Sequence, residues 1–408
     1  VPPTPAENEN LLRLASAQRK TRSFLAQISR LEGSEFPHPD ARDALDYLKQ
    51  KFVKHEQRLN SMKPHSLALD NACFGVIRDV LRHTKALGLI LRATNVRNPF
   101  EIYYPLKALV QKIVPNAKLI LSSEWDWTPF TLPIGHMENF IFIGIPATEF
   151  DNVLVTPLAG HEFGHSAWVR LGINQAMGAA VSELLGMPEG DEAEADDNRT
   201  REEIEAEEAL KAERQHKYEL ALAQLEEIFC DLVGLYVFAE SYLFAVAHTL
   251  APGGLYRDQR YPDAVARINH MKAAVDSWKN IEFDHQIFAR WRHSKPSFCP
   301  PSISEVDSIV GEIVPDLIKL TAKRLEEKEI DRADPGKVTD VTVALSQRVP
   351  FDSEARLSEI LCAGWKVLRD EGGLGAAQDR AACESLNEVI LKSIEVSEFY
   401  RRIKHAGT

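Results

Sequence analysis

The chain has 408 residues, with 48 lysines and arginines against 60 aspartates and glutamates and a formal net charge of −12. That length holds two or three ordinary domains or one large elaborated one, and the acid excess argues against general nucleic-acid binding, which needs a basic face. Hydrophobic content of 44% and charged content of 26% suit a globular protein in water, and five scattered cysteines with no C-x-x-C pair argue against a disulfide framework and for a reducing, cytoplasmic compartment.

The N-terminal third has helical periodicity. Residues 10–31 carry Leu11, Leu14, Phe24, Ile28 and Leu31 at mostly helical intervals, and residues 39–62 repeat the pattern with Ala44, Leu45, Leu48, Phe52 and Leu59. Ser66 suits the N-cap of a third helix over 67–91, with Cys73, Val76, Val80 and Leu87 on its apolar side. His38, His55, His65 and His83 are scattered singly and form no catalytic cluster.

The period changes after Pro99. Residues 103–114 still suit a helix, and 118–121 and 140–145 are short, apolar and β-branched or aromatic, as strands are. Between them 125–131 is aromatic and broken by proline, either a packed loop or the wall of a substrate pocket. The strand at 140–145 also offers main-chain groups with which a peptide substrate could pair.

Next comes His161-Glu162-Phe163-Gly164-His165, an H-E-x-x-H pattern. A helix opening at Thr156 or Pro157 and stopping at Gly172 holds it, with Ala159, Phe163, Ala167 and Val169 as apolar flanks. At 3.6 residues per turn, His161 and His165 share one face, so both imidazoles can bind one metal. Glu162 then lies where it can take a proton from water at that metal.

Residues 189–208 form an acidic tract, near the 186–208 insertion boundary, that runs from solvent into a long helix over 200–250. Its first half is charged and its second half apolar. The run 232–250 has roughly the length of a membrane span, but Glu240 and His248 interrupt it and a buried core helix is the preferred reading. At the change of character stands Glu226-Glu227-Ile228-Phe229-Cys230-Asp231. Catalytic zinc takes three protein ligands and leaves a position for water. Glu227 is the preferred third ligand, because Asp231 one turn on can accept the free ring N–H of a ligand histidine. Glu226 and Cys230 are the alternative ligands, and plain surface charge is the alternative for the Glu227–Asp231 pair. Beyond this, 261–278, 303–328, 354–370 and 381–403 suit helices, with 335–351 a connection that includes a short strand at 338–344.

His161-Glu-Phe-Gly-His165 with Glu227-x-x-x-Asp231 resembles a gluzincin, the metallopeptidase class with two histidines and a glutamate on zinc. The details are most similar to the HtpX and CAAX prenyl endopeptidase group, whose third-ligand helix reads E-x-x-x-D-x-x-G, matched by Glu227, Asp231 and Gly234. That group's later H-P-x-x-x-x-R-I element is matched by Pro262, Arg267 and Ile268, with Tyr261 in place of the histidine. The resemblance covers roughly 140–278 and implies that Tyr261 stands where an oxyanion donor is expected. The spacer between His165 and Glu227 is longer than in that group, and its membrane spans are lacking.

The expected fold is therefore mostly α with a small β-sheet: an N-terminal helical region (1–99), a zincin-like core (100–295) and a C-terminal helical region (296–408). The expected function is a zinc-dependent peptidase acting on peptides or proteins, with no nucleic acid, no membrane span and scope for a regulatory protein partner. The alternative is a catalytically silent or regulatory zinc-binding protein whose helical flanks sense or dock.

Overall fold

The computed structural model describes residues 5–63, 68–94, 100–124, 130–131, 137, 139–149, 152–187, 200–249, 259–279, 287, 301–370 and 380–406. These residues are mostly helical, with one three-stranded sheet. They form two compact units. Ser66, the aromatic stretch 125–129 and most of the acidic tract lie outside the described residues.

The first unit contains α1 (Pro5–Leu31), α2 (Pro39–Ser61), α3 (Leu69–Arg92), β1 (Lys118–Glu124), β2 (Phe130–Thr131) and β3 (Phe140–Pro146). Its core joins Phe24 and Ile28 of α1, Leu45, Leu48 and Phe52 of α2, and Ala86, Leu87 and Ile90 of α3 to Ile120 and Phe142 of the strands. The helical stripes in the sequence are thus the faces that leave water, the main favourable term in folding. Leu11 is an exception at 40% exposure. Asp40, buried in the first turn of α2, accepts a hydrogen bond from the Leu119 N–H of β1 (2.7 Å) and so ties helix to sheet.

The strand order is β1-β3-β2. β1 runs parallel to β3, and β2 pairs antiparallel with Gly144 and Ile143 on its other side. β3 is thus the central strand: β1 pairs along its length on one edge, and β2 holds the other edge at 143–144.

The second unit holds the H-E-x-x-H motif. A short α4 (Tyr103–Ile113) begins at the boundary between units. The motif helix follows a 3-10 turn, Val153–Leu158, capped by the Asn152 side chain. Because that first turn is 3-10, the α-helix itself, α5 (Ala159–Arg170), starts later than Thr156 or Pro157. Ala159, Phe163, Ala167 and Trp168 are buried, whereas Val169, expected inside, is 61% exposed. Gly172 ends the segment at φ 68° and α6 (Ile173–Leu184) follows.

The long helix divides. α7 (Arg201–Phe238) breaks at Ala239, which adopts φ 50° and ψ −135°, and α8 (Glu240–Thr249) runs from there. The Ser241 hydroxyl donates to the freed Phe238 carbonyl (2.6 Å). α9 (Ala264–Trp278) is capped by Asp263, whose carboxylate accepts the Val265 N–H (2.8 Å).

α10 (Pro301–Glu326), α11 (Pro335–Ser346), α12 (Leu357–Asp370) and α13 (Arg380–Ala406) complete the unit. α11 replaces the strand expected at 338–344. Its β-branched valines and threonines resemble a strand, but Asp334 caps the helix by accepting the Gly336 and Lys337 N–H groups, Pro335 opens it, and the buried residues Val338, Val341 and Leu345 recur at helical spacing. α12 packs on α8 through Phe244 and Trp365 (ring centroids 5.6 Å), and the Trp365 indole donates to the Leu154 carbonyl just ahead of the motif helix (2.9 Å). Among the described residues no helix is long and apolar enough to cross a membrane.

Candidate metal centre

The motif helix and α7 cross in unusually close contact, and glycines allow it. A Cβ on Gly164 would lie 2.9 Å from the Cys230 Cα, and one on Gly160 would lie 2.9 Å from the Gly234 Cα and from the Phe238 ring. The small residues sit one turn apart on each helix, so the two backbones meet at Gly160–Gly234 and Gly164–Cys230. His161 and His165 each follow one of these glycines and project across the crossing toward the carboxylates of α7.

The imidazoles are held from both sides. His161 Nε2 lies 3.3 Å from Glu227 Oε2, and His165 Nε2 lies 3.9 Å from Glu227 Oε1. The opposite nitrogens face other carboxylates: His161 Nδ1 to Asp231 Oδ1 at 3.0 Å, and His165 Nδ1 to Glu226 Oε1 at 2.9 Å. The rings stand 5.2 Å apart and nearly perpendicular, at 82°. Both Nε2 atoms therefore converge on Glu227 while both Nδ1 atoms turn away.

Asp231 is itself gripped. Arg267 of α9 donates Nε to Oδ2 and Nη2 to Oδ1, both at 2.7 Å, and the Tyr242 hydroxyl of α8 donates to Oδ1 at 2.7 Å. Burial opposes ionisation of Asp231, but the Arg267 charge and the hydrogen bonds from His161 and Arg267 outweigh it and hold the carboxyl well below the usual carboxylate range. Burial likewise works against a charged His161, yet the bonds to Asp231 and Glu227 and the charge of Glu162 push its pKa up to about 10. A neutral imidazole has a single N–H. With Nδ1–H engaged by Asp231, the 3.3 Å approach of Nε2 to Glu227 calls for a proton or a cation between them.

Cys230 is close as well. One nitrogen from each histidine and the Cys230 sulfur lie within 4.8 Å of one another, a group with metal-binding potential among the described residues. Two third donors thus compete, Glu227 and Cys230. The thiol has no solvent exposure, and burial together with the charges of Glu227 and Glu226 pushes its pKa well up. Its position against Gly164 gives it a packing role at the crossing. Glu227 turns one carboxylate oxygen toward each Nε2, so it is the better donor for a hard or borderline cation.

Glu162 is buried within the motif helix at 6% exposure, and its charge is felt at His161. Tyr261 lies on the turn before α9 and is 44% exposed. The Gln224 side chain, one turn ahead of Glu227, donates to the Gln259 carbonyl in that turn (3.2 Å). What α9 brings directly to the centre is Arg267. Glu226 considered as a ligand faces Nδ1 of His165 rather than Nε2. The roles of Glu226, Arg267 and Tyr242 were not visible in the sequence. Arg267 stood in a recognisable element, but Tyr242 had no signal at all, because only the reversal at Ala239 returns it to Asp231.

The chain matches no protein-family model, no curated protein and no solved structure.

Proposed function

We propose that this chain is a zinc-dependent peptidase of the gluzincin kind, with His161, His165 and Glu227 as metal ligands and Glu162 as the proton-transfer residue. One observation carries the reading: both Nε2 atoms face the two oxygens of Glu227 while each Nδ1 is held by a separate carboxylate. Carboxylate-backed histidines are the usual arrangement of protein metal sites. The donor set fits a divalent cation, since Glu162, Glu226, Glu227 and Asp231 bring four carboxyl groups and, among the described residues, Arg267 is the guanidinium bound to them.

A divalent metal held there supplies Lewis acidity, acidifying a water and polarising a carbonyl. Asp231 fixes the tautomer of His161, and Glu226 does the same for His165. Glu162 takes a proton at its carboxylate from the water that attacks the peptide carbonyl, and returns it to the amine nitrogen as the C–N bond breaks. Tyr261 is the candidate donor to the oxyanion, on a turn anchored to α7. Peptides or proteins are the substrate class. Cys73, Cys230, Cys362 and Cys383 form no disulfide with one another, and a reducing, cytoplasmic setting is part of the proposal.

The test is Glu162→Gln with zinc content and peptide-library cleavage as paired readouts. The variant should keep its zinc and lose at least ~100-fold in cleavage rate. Cleavage at the wild-type rate would overturn the assignment.

A second reading rests on Cys230. If its sulfur joins His161, His165 and Glu227, four protein donors close the site and the protein is a silent, structural or regulatory zinc binder. A sulfur-to-cobalt charge-transfer band in the cobalt-loaded protein, lost in Cys230→Ser, together with no cleavage by wild type, would favour it.

A further inference from the structure

We infer that Tyr242 is a positioning residue for the metal: its hydroxyl locks the Asp231 carboxylate and thereby fixes the direction of the His161 Nε2 lone pair. The inference rests on the reading of His161 as a ligand.

Three observations carry it. The Tyr242 hydroxyl lies 2.7 Å from Asp231 Oδ1 and 3.4 Å from His161 Nδ1, so it touches both partners of the bond that orients the imidazole. The side chain is 1% exposed, so water does not replace this bond. Finally, the backbone has made room for the ring. A Cβ on Gly234 would lie 2.4 Å from Tyr242 Cε2 and 2.7 Å from Cδ2. Gly234 therefore serves two contacts at once, the Gly160 backbone on the motif helix and the Tyr242 ring.

The need for a second donor follows from Arg267. A guanidinium fork on both oxygens holds the carboxylate strongly but draws its charge toward α9. Oδ1 must still accept from His161, and the hydroxyl on that same oxygen keeps it turned to the ring. Without it the carboxylate can follow the arginine alone, and the imidazole gains freedom to rotate. Groups of this kind around a metal typically govern ~10–100-fold in affinity.

Tyr242→Phe keeps the ring in its slot and removes only the hydroxyl. Zinc affinity would be measured by competition with a chromophoric chelator, and ligand geometry by the visible spectrum of the cobalt-loaded protein. Wild type, His161→Ala and Tyr242→Phe would be compared, with a circular dichroism melt of each metal-free protein. The expected result is zinc binding weakened ~10-fold in Tyr242→Phe, with shifted cobalt bands and a metal-free fold like wild type. A merely structural tyrosine would change the melt and leave the cobalt spectrum in place.

Affinity within twofold of wild type and an unchanged spectrum overturn the inference while leaving the ligand assignment standing. If wild type takes up no zinc, or His161→Ala binds it as well as wild type does, the ligand reading fails and the inference falls with it. Gly234→Ala, which displaces the ring, should weaken zinc at least as much; if that variant fails to fold, Tyr242→Phe decides alone.

Discussion

Each imidazole at the centre is fixed by what its far nitrogen touches, and the residues that do this differ in character. Asp231, with a side chain 2% exposed, is backed by Arg267 and Tyr242, whereas Glu226, 33% exposed, holds His165 from nearer solvent. The two histidines and Glu162 were legible because five consecutive residues on one helix determine their own geometry. The choice between Glu226 and Glu227 was less so. Adjacent residues on a helix point about 100° apart, and only the crossing with the motif helix decides which faces Nε2. The crossing itself gives a prediction. Gly164→Ala would place its Cβ 2.9 Å from the Cys230 Cα, backbone that cannot swing aside as a side chain can. A loss of about 1–3 kcal/mol is expected, read as a lower midpoint in denaturant, together with weaker zinc binding because the helices part.

At the scale of elements, the amphipathic helices were legible wherever one face is wet. The stripes of α1, α2 and α3 alternate between solvent and core, so their periodicity survives in the sequence. It fails where an element is wrapped on all sides. From Leu225 to Phe238 nearly every side chain of α7 is buried, and α8 continues the apolar run, so nothing in composition marks the break between them. No glycine or proline stands there. Ala239 takes a conformation that suits glycine, at a cost of about 1–3 kcal/mol for a residue with a Cβ. Ala239→Gly should therefore stabilise the protein by about 1 kcal/mol after allowing for glycine's greater freedom in the unfolded chain. A thermal melt should show a rise of roughly 2–4 °C, and an unchanged or lower midpoint would contradict the assigned strain. In α11 the error ran the other way. Valine and threonine carried strand propensity, and the Asp334–Pro335 start overruled it.

For the whole molecule, grouping along the sequence differs from grouping in space. The strands at 118–124 and 140–146 were placed with the metal motif by their nearness in the chain, but they share a core with α1, α2 and α3. Strand partners are long-range facts, and short apolar segments do not name them. The candidate metal centre, by contrast, draws all its groups from the second unit: α5, α7, α8 and α9. Zinc should therefore protect that unit selectively. At ~1,000 times the dissociation constant, a bound ion adds about 4 kcal/mol to the stability of the state that holds it. Hydrogen exchange with and without chelator should show slower exchange with zinc in α5 and the inner half of α7. Equal protection with and without the metal would contradict a site built this way.

The length of α7 has a further consequence. Its first 19 residues, 201–219, are largely in solvent, closed by a capping box of Thr200 and Glu203 and braced by Arg201–Glu205 and Lys217–Glu213 pairs. The same unbroken rod carries Glu226, Glu227 and Asp231. From Glu205 to Glu227 it spans about 33 Å at ~1.5 Å per residue. A twist of roughly 20° about its axis moves a side-chain atom ~6 Å from that axis by about 2 Å, more than a coordination bond tolerates. Whatever grips the outer arm of this helix therefore has leverage on Glu227 and Asp231 without entering the candidate site.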